Sequence, residues 1–248
     1  MTPAREYLEE LRRRLARLQE RDLAPAAASI AEALASGGVL HAFGCGHSAL
    51  LAQEVFFRAG GLVAVNPILD SRLGFERGAL ASSLFERAIA AAGELAAQAD
   101  FRAGDAGLVI SNSGRNGLPV ELALRMRQAG VKVIALTNVE QSRAAPSRHP
   151  SGQRLFEVAD VVLDNGVPAG DAAVRVPGIG TAMGPASTAL GTALLHALLI
   201  ETATQLAAAG RPPAVFPSAN IEGVTLEDLR ALMAPCAGRI RYYRESPS

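Results

Sequence analysis

Lysine is almost missing from this sequence: 248 residues carry a single lysine, Lys132, while lysine and arginine together number 24. A Schiff-base aldolase needs a desolvated lysine at the substrate carbonyl. Lys132 stands where a fourth strand begins, opposite the loops singled out below, so that class is set aside. Cysteine is as sparse. Cys45 and Cys236 match no metal or disulfide spacing, which fits a reduced, cytoplasmic setting. Formal net charge is zero, and no basic stripe alternates with aromatics, so no nucleic-acid partner is expected. There is no secretory leader pattern. Glu6 to Arg21 is densely charged, with Leu8, Leu11, Leu15 and Leu18 at helical spacing. The longest stretch without a formal charge, Ala182 to Ile200, is interrupted by Pro185, Ser187, Thr188, Thr192 and His196. It reads as a helix buried all round in a core or subunit interface rather than as a membrane span. No Walker pattern occurs, and Ala49 stands where a dinucleotide fingerprint needs its third glycine. No His-x-x-x-His occurs either, and neither metal nor cofactor is expected.

A hydrophobic content of 49% supports a substantial core. Short apolar runs alternate with amphipathic stretches. The runs Val39–Phe43, Leu62–Val65, Ala106–Ile110, Val131–Leu136 and Val161–Leu163 read as strands. Helices are expected over the first 36 residues with a break near Pro25, then over 49–59, 80–97, 118–129 and 186–209, with one short helix in the tail. Residues 165–185 read as irregular. Alternation of this kind predicts a parallel sheet covered on both faces, in one domain over 1–248. Residues 1–36 would be N-terminal helices and 211–248 a C-terminal tail. Ligands of such sheets bind beyond the carboxyl ends of the strands.

Two loops at that end carry most of the functional signal. Gly44-Cys45-Gly46-His47-Ser48 and Ser111-Asn112-Ser113-Gly114-Arg115-Asn116 each follow a predicted strand and open a predicted helix. Helix N-termini present free N–H groups and partial positive charge. Ser48, Ser111 and Ser113 add hydroxyls and Asn112 and Asn116 add amides. Gly44, Gly46 and Gly114 allow close backbone approach. The pattern suits the phosphate of a small molecule. A plainer reading, that serine and glycine merely make turns, is weakened by its occurring twice.

With a third segment, Gly184-Pro185-Ala186-Ser187-Thr188 ahead of a helix, these loops resemble the SIS (sugar isomerase) domain. The similarity runs from about residue 5 to residue 222. It includes the runs Phe56–Gly61, Asn66–Leu69, Ser147–His149 and Phe216–Asn220, which recur in a stand-alone bacterial SIS subfamily. The resemblance implies a flavodoxin-like three-layer α/β/α sandwich with a five-stranded parallel sheet and an N-terminal helical extension. It implies phosphosugar binding, with Ser48, Ser111, Asn112 and Ser113 at the phosphate and Ser187 and Thr188 towards the sugar. Asn116 falls where many members have threonine. Arg115 replaces a glutamate common among the isomerases. In metal-using phosphoheptose isomerases a metal-binding histidine falls near Glu54. SIS domains pair so that each site borrows residues from a neighbour, which implies a homodimer or higher homo-oligomer.

Aldose–ketose isomerisation needs a base to move a proton between adjacent carbons and an acid at the carbonyl oxygen. Glu54 is the first choice for the base, set six residues after Ser48 in an otherwise apolar run, where desolvation would raise its pKa. Its plainer reading is an ion pair with Arg58 one turn on. His47, inside the first loop, is a candidate for ring opening or phosphate binding. His149, beside Arg148 in a loop at the active end, is a candidate acid. Glu76 is a candidate by position alone. Cys45 reads as a small turn residue rather than a nucleophile, His41 as core, and His196 as a packed helix residue. The function expected is a phosphosugar isomerase working through an enediol. The alternatives are a phosphosugar sensor without turnover and a lyase or etherase acting on an amino-sugar phosphate.

Overall fold

The structure, a computed structural model, describes residues 1–244. Residues 245–248, the end of the expected tail, lie outside the described residues. Thr2 caps α1 (Pro3–Leu18) by accepting from the Arg5 N–H at 3.4 Å. α2 (Ala24–Ala35) carries Pro25 in its first turn, where the missing N–H breaks no helical bond. The break near Pro25 is thus a boundary between two helices.

The chain then lays down β1 (Leu40–Gly44), α3 (His47–Glu54), β2 (Val65–Pro67), α4 (Ala79–Phe85) and α5 (Ala91–Ala99). β3 (Ala106–Ile110), α6 (Gly117–Gln128), β4 (Lys132–Thr137), α7 (Val139–Arg143), α8 (Leu155–Val158) and β5 (Val161–Asp164) follow. A small antiparallel pair, β6 (Ala172–Val174) and β7 (Met183–Pro185), leads into α9 (Ser187–Ala208), and α10 (Leu226–Met233) lies in the tail.

The five main strands are all parallel, in the order β2-β1-β3-β4-β5. The direction of travel across the sheet reverses between β1 and β3. Successive residues of a strand face opposite sides, and the core obeys this. Leu108 and Ile110 pack with α2, α3 and α9 on one face, whereas Val109 packs with α5, α6 and α8 on the other. Each such buried leucine, isoleucine or valine contributes about 1.5–3 kcal/mol. The result is the flavodoxin-like three-layer sandwich.

Four local expectations are corrected. The second strand lies at 65–67, not 62–65, because the tail captures the earlier residues: Val63 N–H donates to Ala214 O at 3.0 Å and Phe216 N–H to Gly61 O at 2.9 Å. β2 is an edge strand, where Pro67 loses no ladder bond. Residues 80–97 form two helices, because the chain turns at Glu86 to accept the Leu118 N–H at 3.0 Å. The segment 165–185 contains the β6–β7 pair rather than irregular chain alone. Finally, α9 is buried on one face only. Leu190, Leu194, Leu195, Leu198 and Leu199 are inside, while Ile200 is 67% exposed. Among the described residues this one helix is long and apolar enough to cross a membrane by length and composition. It packs here against α1, α2 and α3.

Candidate functional site

Register brings the two loops together. Gly44 is the partner of Ile110, so Cys45 and Ser111 leave neighbouring strands at the same level, about 4.8 Å apart. The crevice between β1 and β3 is the switch point of the sheet. In the first loop Gly46 has φ +56°, which glycine adopts without strain. Its N–H donates to Leu73 O at 2.7 Å, and the Ser48 N–H to Cys45 O at 3.0 Å. In the second loop Gly114 has φ +59°, and a Cβ there would sit 2.6 Å from Thr137 Oγ1. This loop is held by its neighbours: Asn138 N–H donates to Asn112 O at 3.0 Å, Arg148 N–H to Arg115 O at 2.8 Å and Leu155 N–H to Gly114 O at 2.7 Å. Backbone hydrogen bonds therefore fix the shape of both loops.

The polar side chains divide into free and committed groups. The hydroxyls of Ser48 and Ser113 have no partner among the described residues, nor do the N–H groups of Ser113 and Arg115. Ser111 Oγ accepts from Gly114 N–H at 3.2 Å. The Asn112 amide donates to Gln141 Oε1 at 3.2 Å and accepts from Asn165 Nδ2 at 2.9 Å. Asn116 donates to Glu86 Oε2 and accepts from Arg148 Nη1 at 2.8 Å.

Glu86, which the sequence reading did not single out, lies between the loops. The position a Gly46 Cβ would take is 3.4 Å from Glu86 Oε1, while Glu86 Oε2 meets Asn116 from the other loop. Burial raises the Glu86 pKa, against the Asn116 hydrogen bond and the charges of Arg148 and Arg87. Burial and the same carboxylate push the Cys45 thiol well up, which removes it as a thiolate nucleophile. Cationic groups crowd the spot: burial and the neighbouring Arg115 and Arg87 lower the Arg148 pKa. The Arg115 Nε atom is buried with no acceptor among the described residues. Orphaned donors and like-charged guanidiniums side by side are what an anion would relieve. No sequence signal marked Glu86, since its place depends on the break between α4 and α5.

A second cluster lies further along α3. Glu54 ion-pairs with Arg58, as the plainer reading had it, but its Oε1 also lies 3.2 Å from His196 Nε2 on α9. His196 is therefore not simply a packed helix residue. Burial, then the Arg58 charge, lowers its pKa, so it is neutral near pH 7. The sequence signal that could have found it is the polar side chain in the middle of an otherwise apolar helix.

The other candidates are scattered. His47 is exposed and meets the Phe75 ring edge-on at 4.9 Å. His149 is buried away from the loops, with Nε2 donating to Glu121 Oε2 at 3.0 Å and Nδ1 accepting from Ser151 Oγ at 2.8 Å. Its neighbour Arg148 is the residue of that segment that reaches the crevice. Glu76 is exposed and folds over Gly74. Ser187 Oγ donates to Asp171 Oδ2 at 2.6 Å, and Asp171 Oδ1 accepts the N–H groups of Ala186 and Ser187. The N-terminus of α9 is thus filled by the chain's own carboxylate. Thr188, beside it, is half-buried. Among the described residues no group of three or more histidine, cysteine, aspartate or glutamate side chains could hold a metal ion.

Comparison with known proteins agrees with this architecture. The SIS domain family profile matches residues 6–138. UPF0309 protein GK1441 of Geobacillus kaustophilus is 43% identical over 202 residues, covering 82% of this chain and 80% of the relative. UPF0309 protein TTE0306 of Caldanaerobacter subterraneus is 40% identical over 232 residues, covering 91% and 94%. Among solved structures, a phosphoheptose isomerase from Neisseria gonorrhoeae superposes with a TM-score of 0.56 at 19% identity, over 81% of this chain and 96% of that one. That last likeness is one of fold.

Proposed function

This chain belongs to the SIS domain family, and from that membership and the site geometry we infer that it is a phosphosugar isomerase of the aldose–ketose type. The observation that carries the reading is the convergence of two strand–loop–helix units in register at the switch point, with donors left unpaired. Ser48, Ser113, the loop N–H groups and the Arg115 guanidinium take the phosphate. Ser111, Asn112 and Asn116 hold the loop in shape; the Ser111 N–H is itself committed to Leu136 O at 3.0 Å. Gly46 lets the ligand approach the first turn. Ser187 and Thr188 face the sugar only if Asp171 yields the helix end to it.

Glu54 takes the proton from the sugar carbon, and the neutral imidazole of His196 hydrogen-bonds the adjacent carbonyl oxygen while the enediol forms. Glu54 stands seven positions beyond His47 on α3, a rise of about 10 Å at 1.5 Å per residue. An extended six-carbon phosphate ester spans a comparable distance. The second reading, a sensor that binds without turnover, is favoured by the ion pair that engages Glu54 with Arg58.

The exposed face of α9 carries Ala189, Ala193, Ala197 and Ile200 beside His196, and Leu50 of α3, the helix packed against it, is 45% exposed. We assign that face to a second copy of the chain, so that the protein works as a cytoplasmic homodimer with no need of nucleic acid or membrane.

The test is proton exchange. A panel of aldose and ketose phosphates is incubated with the protein in deuterium oxide and followed by NMR. The isomerase reading expects loss of one carbon-bound proton signal with the right substrate. A ligand that raises the melting temperature without any exchange points to the sensor instead. Release of a leaving group such as lactate points to the lyase or etherase.

A further inference from the structure

We propose that the crevice between β1 and β3 is a proton-coupled anion site, in which a dianion seats between the loops only as the Glu86 carboxyl takes up a proton. The proposal rests on the phosphate-binding reading above and adds to it how the site is regulated.

Its basis is placement. Glu86 Oε1 approaches the Gly46 backbone of the first loop. Oε2 accepts from Asn116 of the second. The Glu86 main chain is anchored in the same place, because its carbonyl caps α6 through the Leu118 N–H at 3.0 Å. A phosphate resting on both loops therefore lies beside that carboxylate, whose backbone is fixed by the cap it supplies to α6. Two neighbouring anions disfavour joint ionisation, and the weaker acid of the pair keeps its proton. Sulfate takes up no proton in this range, and a phosphate monoester gives up its second only at about pH 6, so beside a bound dianion the carboxyl is the group that can keep one. The proton then sits on Glu86, which changes from a repelling acceptor to a donor towards the anion.

The groups that face Glu86 set the range in which this happens. Burial already raises its pKa in the empty crevice. Arg87 beside it and Arg148 from the loop after α7 work in the opposite direction. Arg115 acts on Arg148 rather than on the carboxylate. The Cys45 thiol, pushed well up, contributes no charge of its own. A bound dianion offsets the arginines and raises the Glu86 pKa further. Between the free and bound values, affinity falls about tenfold for each unit of rising pH, because one proton is bound with each anion. Outside that window it is flat.

Sulfate is the probe, because it stays dianionic across the range and brings no titration of its own. Calorimetric titrations of the full-length protein with sulfate, from about pH 5.5 to pH 8.5, are run in buffers of differing ionisation enthalpy. Fructose 6-phosphate then competes for the same site. The proposal expects wild type to take up as much as one proton per sulfate within the window. Glu86→Gln keeps an acceptor for Asn116 and takes up none. It binds sulfate about tenfold or more tighter than wild type at the upper end of the range. Uptake by the neighbouring His47 would persist in Glu86→Gln, and that result overturns the proposal. So does binding by wild type without proton uptake, a measurement that needs no variant. If neither protein binds sulfate or fructose 6-phosphate at any pH, the phosphate-binding reading itself fails.

Discussion

Glu54 Oε1 and His196 Nε2 lie 3.2 Å apart, although 142 residues separate them along the chain. α3 and α9 pack against the same face of the sheet, and that packing alone makes the pair. A carboxylate touching a neutral imidazole is a unit able to remove a proton from carbon while polarising the adjacent oxygen. Substituting either partner, as Glu54→Gln or His196→Asn, should lower turnover by roughly 10²- to 10⁴-fold and leave phosphosugar affinity nearly unchanged. Solvent-exchange NMR alongside thermal-shift titration checks both halves. Because His196 titrates below the ordinary imidazole value, the rate should hold down to that value and fall as acid protonates the ring.

The free hydroxyls make a separate prediction. A hydrogen bond to a charged group contributes about 1.5–3 kcal/mol, so Ser48→Ala and Ser113→Ala should each weaken phosphosugar binding by about 10- to 150-fold. Neither hydroxyl has a partner among the described residues, so the melting temperature without ligand should stay put. If these variants melt early instead, the hydroxyls are structural and the phosphate lies elsewhere.

Asp105 predicts an acid limit to stability. Its side chain is 1% exposed and accepts from Val39 N–H at 3.0 Å, Arg102 N–H at 3.0 Å and Arg239 Nη2 at 2.6 Å. The His41 Nε2–H donates to it at 3.1 Å, with that tautomer fixed by Asn66 donating to Nδ1. Burial works to raise its pKa, but the hydrogen bonds from His41, Val39 and Arg239 together outweigh it and hold the group at about 2, below the ordinary 3.8. The sign follows. The unfolded chain binds the proton more readily, so this stabilisation is complete above about pH 4 and is lost as pH falls from there towards 2. Asp105→Asn should cost about 3–5 kcal/mol near neutrality, since it leaves buried partners uncompensated, and should lose less stability on acidification. Urea unfolding at both pH values decides it.

The exposed face of α9 predicts assembly. Ile200→Asp puts a charge in the middle of an apolar surface that the single chain leaves uncovered. Light scattering should show a dimer for the wild type and a monomer for the variant. A wild type that is monomeric at every concentration removes this face as an interface.

Much of the architecture was legible because it is written in local chemistry. The alternation of apolar runs with amphipathic stretches gave a five-stranded parallel sheet. The positive-φ glycines at 46 and 114 mark turns that another residue would strain. Other features are not local. Whether residues 62–65 pair as a strand depends on a tail 150 residues away that takes their hydrogen bonds. Whether 80–97 is one helix depends on α6 needing a cap from Glu86. An isolated periodicity cannot see either competitor.

The same division holds for the site. The amino-acid order alone placed hydroxyls, amides and glycines where strands turn into helices, because backbone N–H groups left over at a helix start are a property of the helix itself. Only the tertiary structure decided which of those groups stay free. Asn112, Asn116, Ser187 and His149 are taken up by Gln141 and Asn165, Glu86 and Arg148, Asp171, and Glu121, each from a different part of the chain. It also delivered Glu86 and His196, whose significance comes from what packs beside them, since a side chain's chemistry is set by its neighbours in space and a sequence fixes only its neighbours along the chain.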